Sequence, residues 1–256
     1  MSTSRPPGPR RKQDIDPDRL ILLEAGVAES RTHVEQMALS FSRLLGSVFP
    51  GHTLEPALID GTPFIARLRL VGRLLLTEYG ASLFRRDREF VSDTVRGWCA
   101  MALSERPELS LGAVVDALEP FACDHHFAVR EWAWLAIRPR VVANVDEALA
   151  ELASCFMAEE PLLRRFAVEA TRPRSVWGAH VGPLKQHPET AEAVLDNFRC
   201  EPDRYVRVAV GNWLNDASRT RRDWVEEITS RWSQQCACDA TTSIVVRGTR
   251  STRPLS

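Results

Sequence analysis

Three segments of this 256-residue chain share one design: DHHFAVREWAWLA (124–136), EEPLLRRFAVEA (159–170) and EPDRYVRVAVGNWL (201–214). Each opens on an acidic turn, sets an apolar residue just before an arginine (Arg130, Arg164, Arg207), and runs on as an apolar helix. The arginines stand 34 and 43 residues apart, within the range of helical-pair repeats. A lone helix pair cannot bury its apolar face, so such repeats stack. The stack is an all-α solenoid, a curved α-α superhelix with a concave face. The alternative is a generic irregular helical bundle.

The rest of the chain is patterned the same way. Strand-like alternation is absent, and Gly or Pro punctuates the sequence at intervals of about ten to twenty residues. The periodicity predicts helices over 19–27, 31–49, 63–79, 87–105, 111–121, 125–137, 144–157, 161–171, 176–186, 188–198, 203–216, 221–232 and 240–252. Pro161 and Pro188 suit first-turn positions, and Thr220 with Asp223 fits a capping box. Residues 1–18, MSTSRPPGPRRKQDIDPD, are Pro-rich and lack an apolar period. They are expected to be a disordered basic tail, leaving 19–256 as a single domain.

Charge is balanced, with 33 Lys plus Arg against 34 Asp plus Glu. A nucleic-acid surface must therefore be a local patch. From Arg164 to Arg222 there are 11 basic and seven acidic residues, a local excess of +4. That suffices for a few phosphate contacts, or it is a solvated face. All but two of the 33 cations are arginine, which suits bidentate phosphate contacts, although a GC-rich genome produces the same bias. The six cysteines are scattered through helical patterns and no signal peptide is recognisable, so unbridged thiols in a cytoplasmic protein are expected. Cys123, His125, His126, Cys236 and Cys238 show no C-x2-C or H-x3-H spacing, so no metal site is expected. No apolar run approaches the ~18 residues of a membrane span.

Three acids stand out, one per repeat. Glu131 falls between Phe127 and Leu135 on an apolar helix, where a carboxylate is costly unless compensated. Glu169 follows Arg165 by four residues beside an apolar stripe. Asp216 shares a helix side with Tyr205, Ala209 and Trp213. Each has a structural reading: a buried pair of Glu131 with Arg138 or Arg130, a solvated Arg165–Glu169 pair, and an Asp216 that orders the next turn. Their equivalent places in successive repeats favour a joint role. Between the second and third repeats lies TRPRSVWGAH (171–180), where Arg172 and Arg174 bracket Pro173 and Trp177 follows. Two arginines on a turn can grip phosphates and an indole can offer a ring face.

The pieces VREWAWLAIRP, RRFAVEATRPRSVWGAH and YVRVAVGNWLNDASRTRRDWV resemble the bacterial DNA alkylation repair proteins of the AlkC/AlkD group, the AlkC branch more closely. The likeness covers about 120–251 and extends faintly to ESRTHVEQMAL (29–39). TTSIVVRGTRS (241–251) is similar to that family's closing helix, with Gly248 where a histidine often stands. The resemblance implies a HEAT-like-repeat DNA glycosylase that removes N3- or N7-alkylated purines. It implies Glu131, Glu169 and Asp216 as catalytic carboxylates, Trp177 as an aromatic beside them, and Arg165, Arg172, Arg174 and Arg207 as DNA contacts; the chemistry of a cationic lesion adds Trp177 or Trp213 as lesion-stacking rings through cation–π attraction. It also implies a monomer acting on double-stranded DNA with alkylated bases, off the membrane. The chemistry is consistent. The lesion is cationic, and breaking its bond builds positive charge on the sugar. Fixed carboxylates stabilise that charge, and one can activate water; no metal, nucleotide or redox cofactor is needed. A DNA-binding scaffold without chemistry and a protein-binding solenoid are the alternatives.

Overall fold

The structure is a computed structural model that describes residues 8–85 and 89–252. Among the described residues it holds sixteen α-helices, four short 3-10 turns and no strand. In chain order the helices are α1 (Pro17–Glu24), α2 (His33–Ala38), α3 (Phe41–Val48), α4 (Pro56–Gly61), α5 (Phe64–Tyr79), α6 (Asp93–Ser104), α7 (Leu111–Ala122), α8 (Phe127–Ala143), α9 (Val145–Glu151), α10 (Ala153–Phe156), α11 (Pro161–Ala170), α12 (Gly182–Gln186), α13 (Glu192–Leu195), α14 (Arg204–Ser218), α15 (Arg222–Gln235) and α16 (Asp239–Gly248).

The helices form two compact units. One runs up to Pro107 and takes in Asp124–Ala133; the other is Glu108–Cys123 with the chain from Trp134 on. In the first, Phe41, Leu68, Trp98 and Trp132 are buried; in the second, Phe166, Val210, Trp213, Ile228 and Trp232 are. No described helix is long and apolar enough to cross a membrane.

Several boundaries differ from the periodicity, each for a local reason. Residues 1–7 of the expected tail lie outside the described residues. Lys12–Asp14 already forms a 3-10 turn, and Asp16 caps α1 by accepting from the Asp18 amide at 3.0 Å. Pro17 is a first-turn proline rather than a sign of disorder. The 31–49 helix is two helices, because the Ser40 hydroxyl accepts from the Arg43 amide and opens α3. Thr220 is not a cap: its hydroxyl donates back to the Ala217 carbonyl, and Arg221 holds the cap position of α15. The expectation of six unbridged thiols fails at one place, where Cys200 and Cys236 form a disulfide. Thirty-six residues separate them in sequence, so only the packing of the end of α15 brings them together.

The recurring arginine has a structural task in both units. In the second, Arg164 Nη1 donates to the carbonyls of Ala158 and Glu159, both at 2.8 Å. Arg207 Nη1 donates to those of Glu201 and Pro202 at 3.0 and 2.6 Å. In the first, Arg130 Nη1 reaches Asp124 and His125 at 2.7 and 3.0 Å. Arg96, a fourth member that the sequence comparison missed, reaches Phe90 and Val91 at 2.8 and 2.9 Å. Every guanidinium thus satisfies two carbonyls, five and six residues back, in the turn that opens its own helix. Arg207, expected to contact DNA, is turned toward its own backbone.

Candidate active site

The TRPRSVWGAH segment is a built loop rather than the start of a helix; of the expected 176–186 helix only Gly182–Gln186 is present. Pro173 disfavours helical backbone at Arg172. The Ser175 hydroxyl then accepts from the amides of Trp177 and Gly178 at 3.2 and 3.0 Å, a local turn that competes with helix. The Val181 amide closes the loop onto the Pro173 carbonyl at 3.0 Å.

Arg138, from the second-unit end of α8, holds the loop from beneath. It is 1% exposed. Its guanidinium donates to the carbonyls of Ala179 (2.7 Å), Ala170 (3.1 Å), Glu169 (3.4 Å) and Arg172 (2.6 Å). Burial, and then repulsion from Arg172, lower its pKa to about 10, so it stays charged at neutral pH. A Cβ at Gly178 would come within 3.0 Å of Arg138 Cδ, and glycine permits that approach. Trp213 adds a bond from its indole Nε1 to the Thr171 carbonyl at 3.1 Å. The tip so held presents Val176 and Trp177 to solvent, 91% and 48% exposed.

At the base of the loop Arg172 spans two carboxylates. Its Nη1 lies 2.9 Å from Glu169 Oε2 on α11. Its Nε and Nη2 both lie 2.8 Å from Asp216 Oδ2 on α14. Asp216 Oδ1 takes no hydrogen bond among the described residues. Arg174 Nε donates to the Asp216 carbonyl at 3.2 Å. The Glu169 and Asp216 side chains are 5% and 9% exposed. Burial raises the Asp216 pKa above its ordinary value, outweighing the pull of Arg172, Arg219 and Arg250. Burial works against the Arg172 charge too, but Glu169 and Asp216 outweigh it and raise that pKa.

Arg219 and Arg250 add positive charge within electrostatic reach of Asp216. Arg247 and Arg250 both direct Nη1 at Asn212 Oδ1, at 3.4 and 3.0 Å. Facing glycines let α16 approach α14 closely: a Cβ on Gly211 would meet the Arg247 side chain at 2.8 Å, and one on Gly248 would meet Leu214 Cβ at 2.9 Å. Gly248 is therefore a packing residue here.

Of the residues expected from sequence, the structure brings Glu169, Asp216, Arg172 and Arg174 together. Trp177 lies on the same loop, exposed. Arg165 sits at the edge, its Nη2 3.7 Å from Glu169 Oε1 and its Cζ 4.0 Å above the Tyr205 ring. That pair is buried, not solvated. Trp213 is fully buried with its N–H committed, so it is a core residue and not a stacking platform. Glu131 belongs to the first unit and is half-buried on the opening turns of α8. Arg247 and Arg250 were not singled out from sequence, and Arg138 was named there only as a buried partner for Glu131. For Arg138 the available signal was a charge inside a long apolar run, the same signal that singled out Glu131.

No family model matches the chain. A stretch of 118 residues is 29% identical to the uncharacterized protein YhaZ of Bacillus subtilis (strain 168), covering 46% of this chain and 31% of that protein. In structure the chain is similar to the alkylpurine DNA glycosylase AlkC of Pseudomonas fluorescens, solved bound to DNA containing an abasic-site analogue. The TM-score is 0.66 at 19% identity, over 95% of this chain and 64% of that one. The chain thus spans less than two thirds of the length of either relative. The likeness to AlkC fixes the fold as an all-α helical repeat of the AlkC type.

Proposed function

We propose that this chain, built on the AlkC fold, is a DNA glycosylase. It hydrolyses the N-glycosidic bond of N3- or N7-alkylated purines of the 3-methyladenine and 7-methylguanine type in double-stranded DNA. The observation that carries this reading is Asp216. It is a buried carboxylate with a raised pKa, one oxygen fixed by Arg172 and the other without a hydrogen bond among the described residues. A group so placed suits a site where charge develops.

In this mechanism the damaged base departs with the bonding pair and the deoxyribose becomes cationic. Asp216 Oδ1 faces that charge, or holds the water that adds to the sugar and accepts its proton. Glu169 fixes Arg172 and so positions Asp216. Glu131 serves as a further carboxylate in this proposal. Trp177 offers its exposed face to the cationic base. Arg174, Arg219, Arg247 and Arg250 serve the phosphates. Arg165 and Arg172, committed to carboxylates, are positioning residues.

Arg172 also supports a second reading. It neutralises one charge of the Glu169–Asp216 pair, which suits a helical scaffold that binds DNA without cutting a bond. Incubation of the purified chain with methylated DNA separates the two. The glycosylase releases free 3-methyladenine, and Asp216→Asn and Glu131→Gln each lose about 100- to 1000-fold of the rate while remaining folded. Salt-sensitive DNA binding with no base released from any methylated substrate would establish the scaffold instead.

A further inference from the structure

Three cysteines of the second unit, none of them part of the Glu169–Arg172–Asp216 cluster, meet at one place. Cys200 follows the 3-10 turn Asp196–Phe198, Cys236 ends α15 and Cys238 opens α16. Cys238 Sγ lies 3.5 Å from Cys236 Sγ and 3.5 Å from Cys200 Sγ. All three sulfurs fall within 4.8 Å of one another. Thr241 Oγ1 stands 3.3 Å from Cys238 Sγ and 3.6 Å from Cys200 Sγ. Its own proton goes to the Arg199 carbonyl at 2.6 Å, so it can accept from the Cys238 thiol. A cavity of about 470 Å³ lined by Asp196, Asn197, Arg199 and Gln235 together with Cys200 and Cys236 opens beside the cluster.

We propose that the reduced chain holds one zinc ion on the thiolates of Cys200, Cys236 and Cys238, with water in the fourth position. Zinc–sulfur bonds of about 2.3 Å in a tetrahedron set the sulfurs roughly 3.8 Å apart. The two 3.5 Å separations to Cys238 are close to that edge. A thiol poised to attack the Cys200–Cys236 bond would lie along the bond axis. Cys238 is instead equally far from both sulfurs, beside the bond, as a third ligand converging on a common centre would be. Three thiolates and no carboxylate select a soft or borderline cation over magnesium or calcium. The spacing, Cys200 and then Cys236-x-Cys238, is none of the usual sequence signatures, because the fold supplies the first ligand.

Disulfide and metal are alternative states of one site. A thiol or phosphine reductant adds two electrons to the Cys200–Cys236 bond, and two protons give two thiols. Zinc then displaces the three thiol protons. The ion would tie the loop after Phe198 to the junction of α15 and α16, and so fasten the helix that carries Arg247.

The test uses the full chain and zinc alone. The chain is reduced with a phosphine, loaded with zinc, freed of excess metal and assayed for bound metal. About one zinc per chain is expected, and next to none on the oxidised chain. Cys238→Ser should weaken retention against a chelator at least tenfold, whereas Cys155→Ser, outside the cluster, leaves it unchanged. Cobalt substitution of the reduced wild type should give thiolate charge-transfer absorption, a readout that needs no variant to fold. A reduced chain that retains no zinc and shows no such absorption overturns the site. So does a folded Cys238→Ser protein that holds zinc as well as wild type.

Discussion

Each unit contains an arginine that spans two carboxylates, and the two triads differ in what wins. In the first unit Arg96 Nη2 lies 2.7 Å from Glu29 Oε1, and its Nε and Nη2 grip Asp124 at 2.8 and 3.0 Å. Its Nη1 holds two carbonyls, so every arm of the fork is used. His125 adds a second partner to Glu29. Burial pushes the Glu29 pKa up, but Arg96 and His125 outweigh it and the pKa is lowered. In the second unit burial wins, and Asp216 is raised despite Arg172. A saturated triad is a brace. A carboxylate held above its ordinary range with an oxygen to spare is one ready to meet a proton or a cation.

The largest expected effect breaks that contrast outright. Asp216→Asn should cut base release by about 100- to 1000-fold with little change in unfolding midpoint. Glu29→Gln should leave release within about twofold and lower stability instead. Equal losses of activity in both variants would erase the distinction between the triads.

Next in size is stability. Arg96→Met removes the one guanidinium shared by two carboxylates and two carbonyls and should cost about 3–5 kcal/mol in urea unfolding. Arg172→Met should cost less, about 1–3 kcal/mol, because burial already opposes the charge on Asp216. A larger loss at Arg172 than at Arg96 would reverse the assignment of brace and site.

The pH dependence is a subtler discriminator. Glu29 is lowered from an ordinary 4.5, so its stabilisation is present above that value and fades only as pH falls through the lower folded value. Asp216 is raised from 3.8, so the folded chain takes up that proton first, and acidification through its folded pKa relieves rather than costs stability. On acidification base release should therefore fall, with an acid limb above pH 3.8, before the Glu29 brace weakens. Rate and unfolding profiles that decline together would contradict this order. The smallest effect is expected at the loop tip. Trp177→Ala should weaken binding of alkylated DNA about fivefold, the worth of roughly 1 kcal/mol of cation–π attraction, and leave the unfolding midpoint unchanged.

Much of this was legible before any coordinates. Apolar periodicity and the arginine spacing sufficed for an all-α repeat, because both are set by the 3.6-residue turn and by stacking of like units. The RPR–W element and Asp216 were singled out on charge and placement. The purpose of the recurring arginine was not legible. The pattern shows that Arg130, Arg164 and Arg207 recur, but only the turn geometry shows each facing its own carbonyls. Trp213 illustrates the same limit, since an indole on an apolar helix reads alike whether its face is covered or bare.

Local chain chemistry alone thus decided the helices, their arginine-closed turns and the places where charge interrupts an apolar run. Tertiary packing decided the rest. Arg172 and Asp216 stand 44 residues apart, Arg138 and Ala179 41, and Cys200 and Cys236 36. Nothing in the one-dimensional order marks these partners. Which carboxylate is spent on an arginine, and which keeps an oxygen open, depends on the burial and the distances that arise when separate helices pack. Those quantities do not exist until the chain has folded.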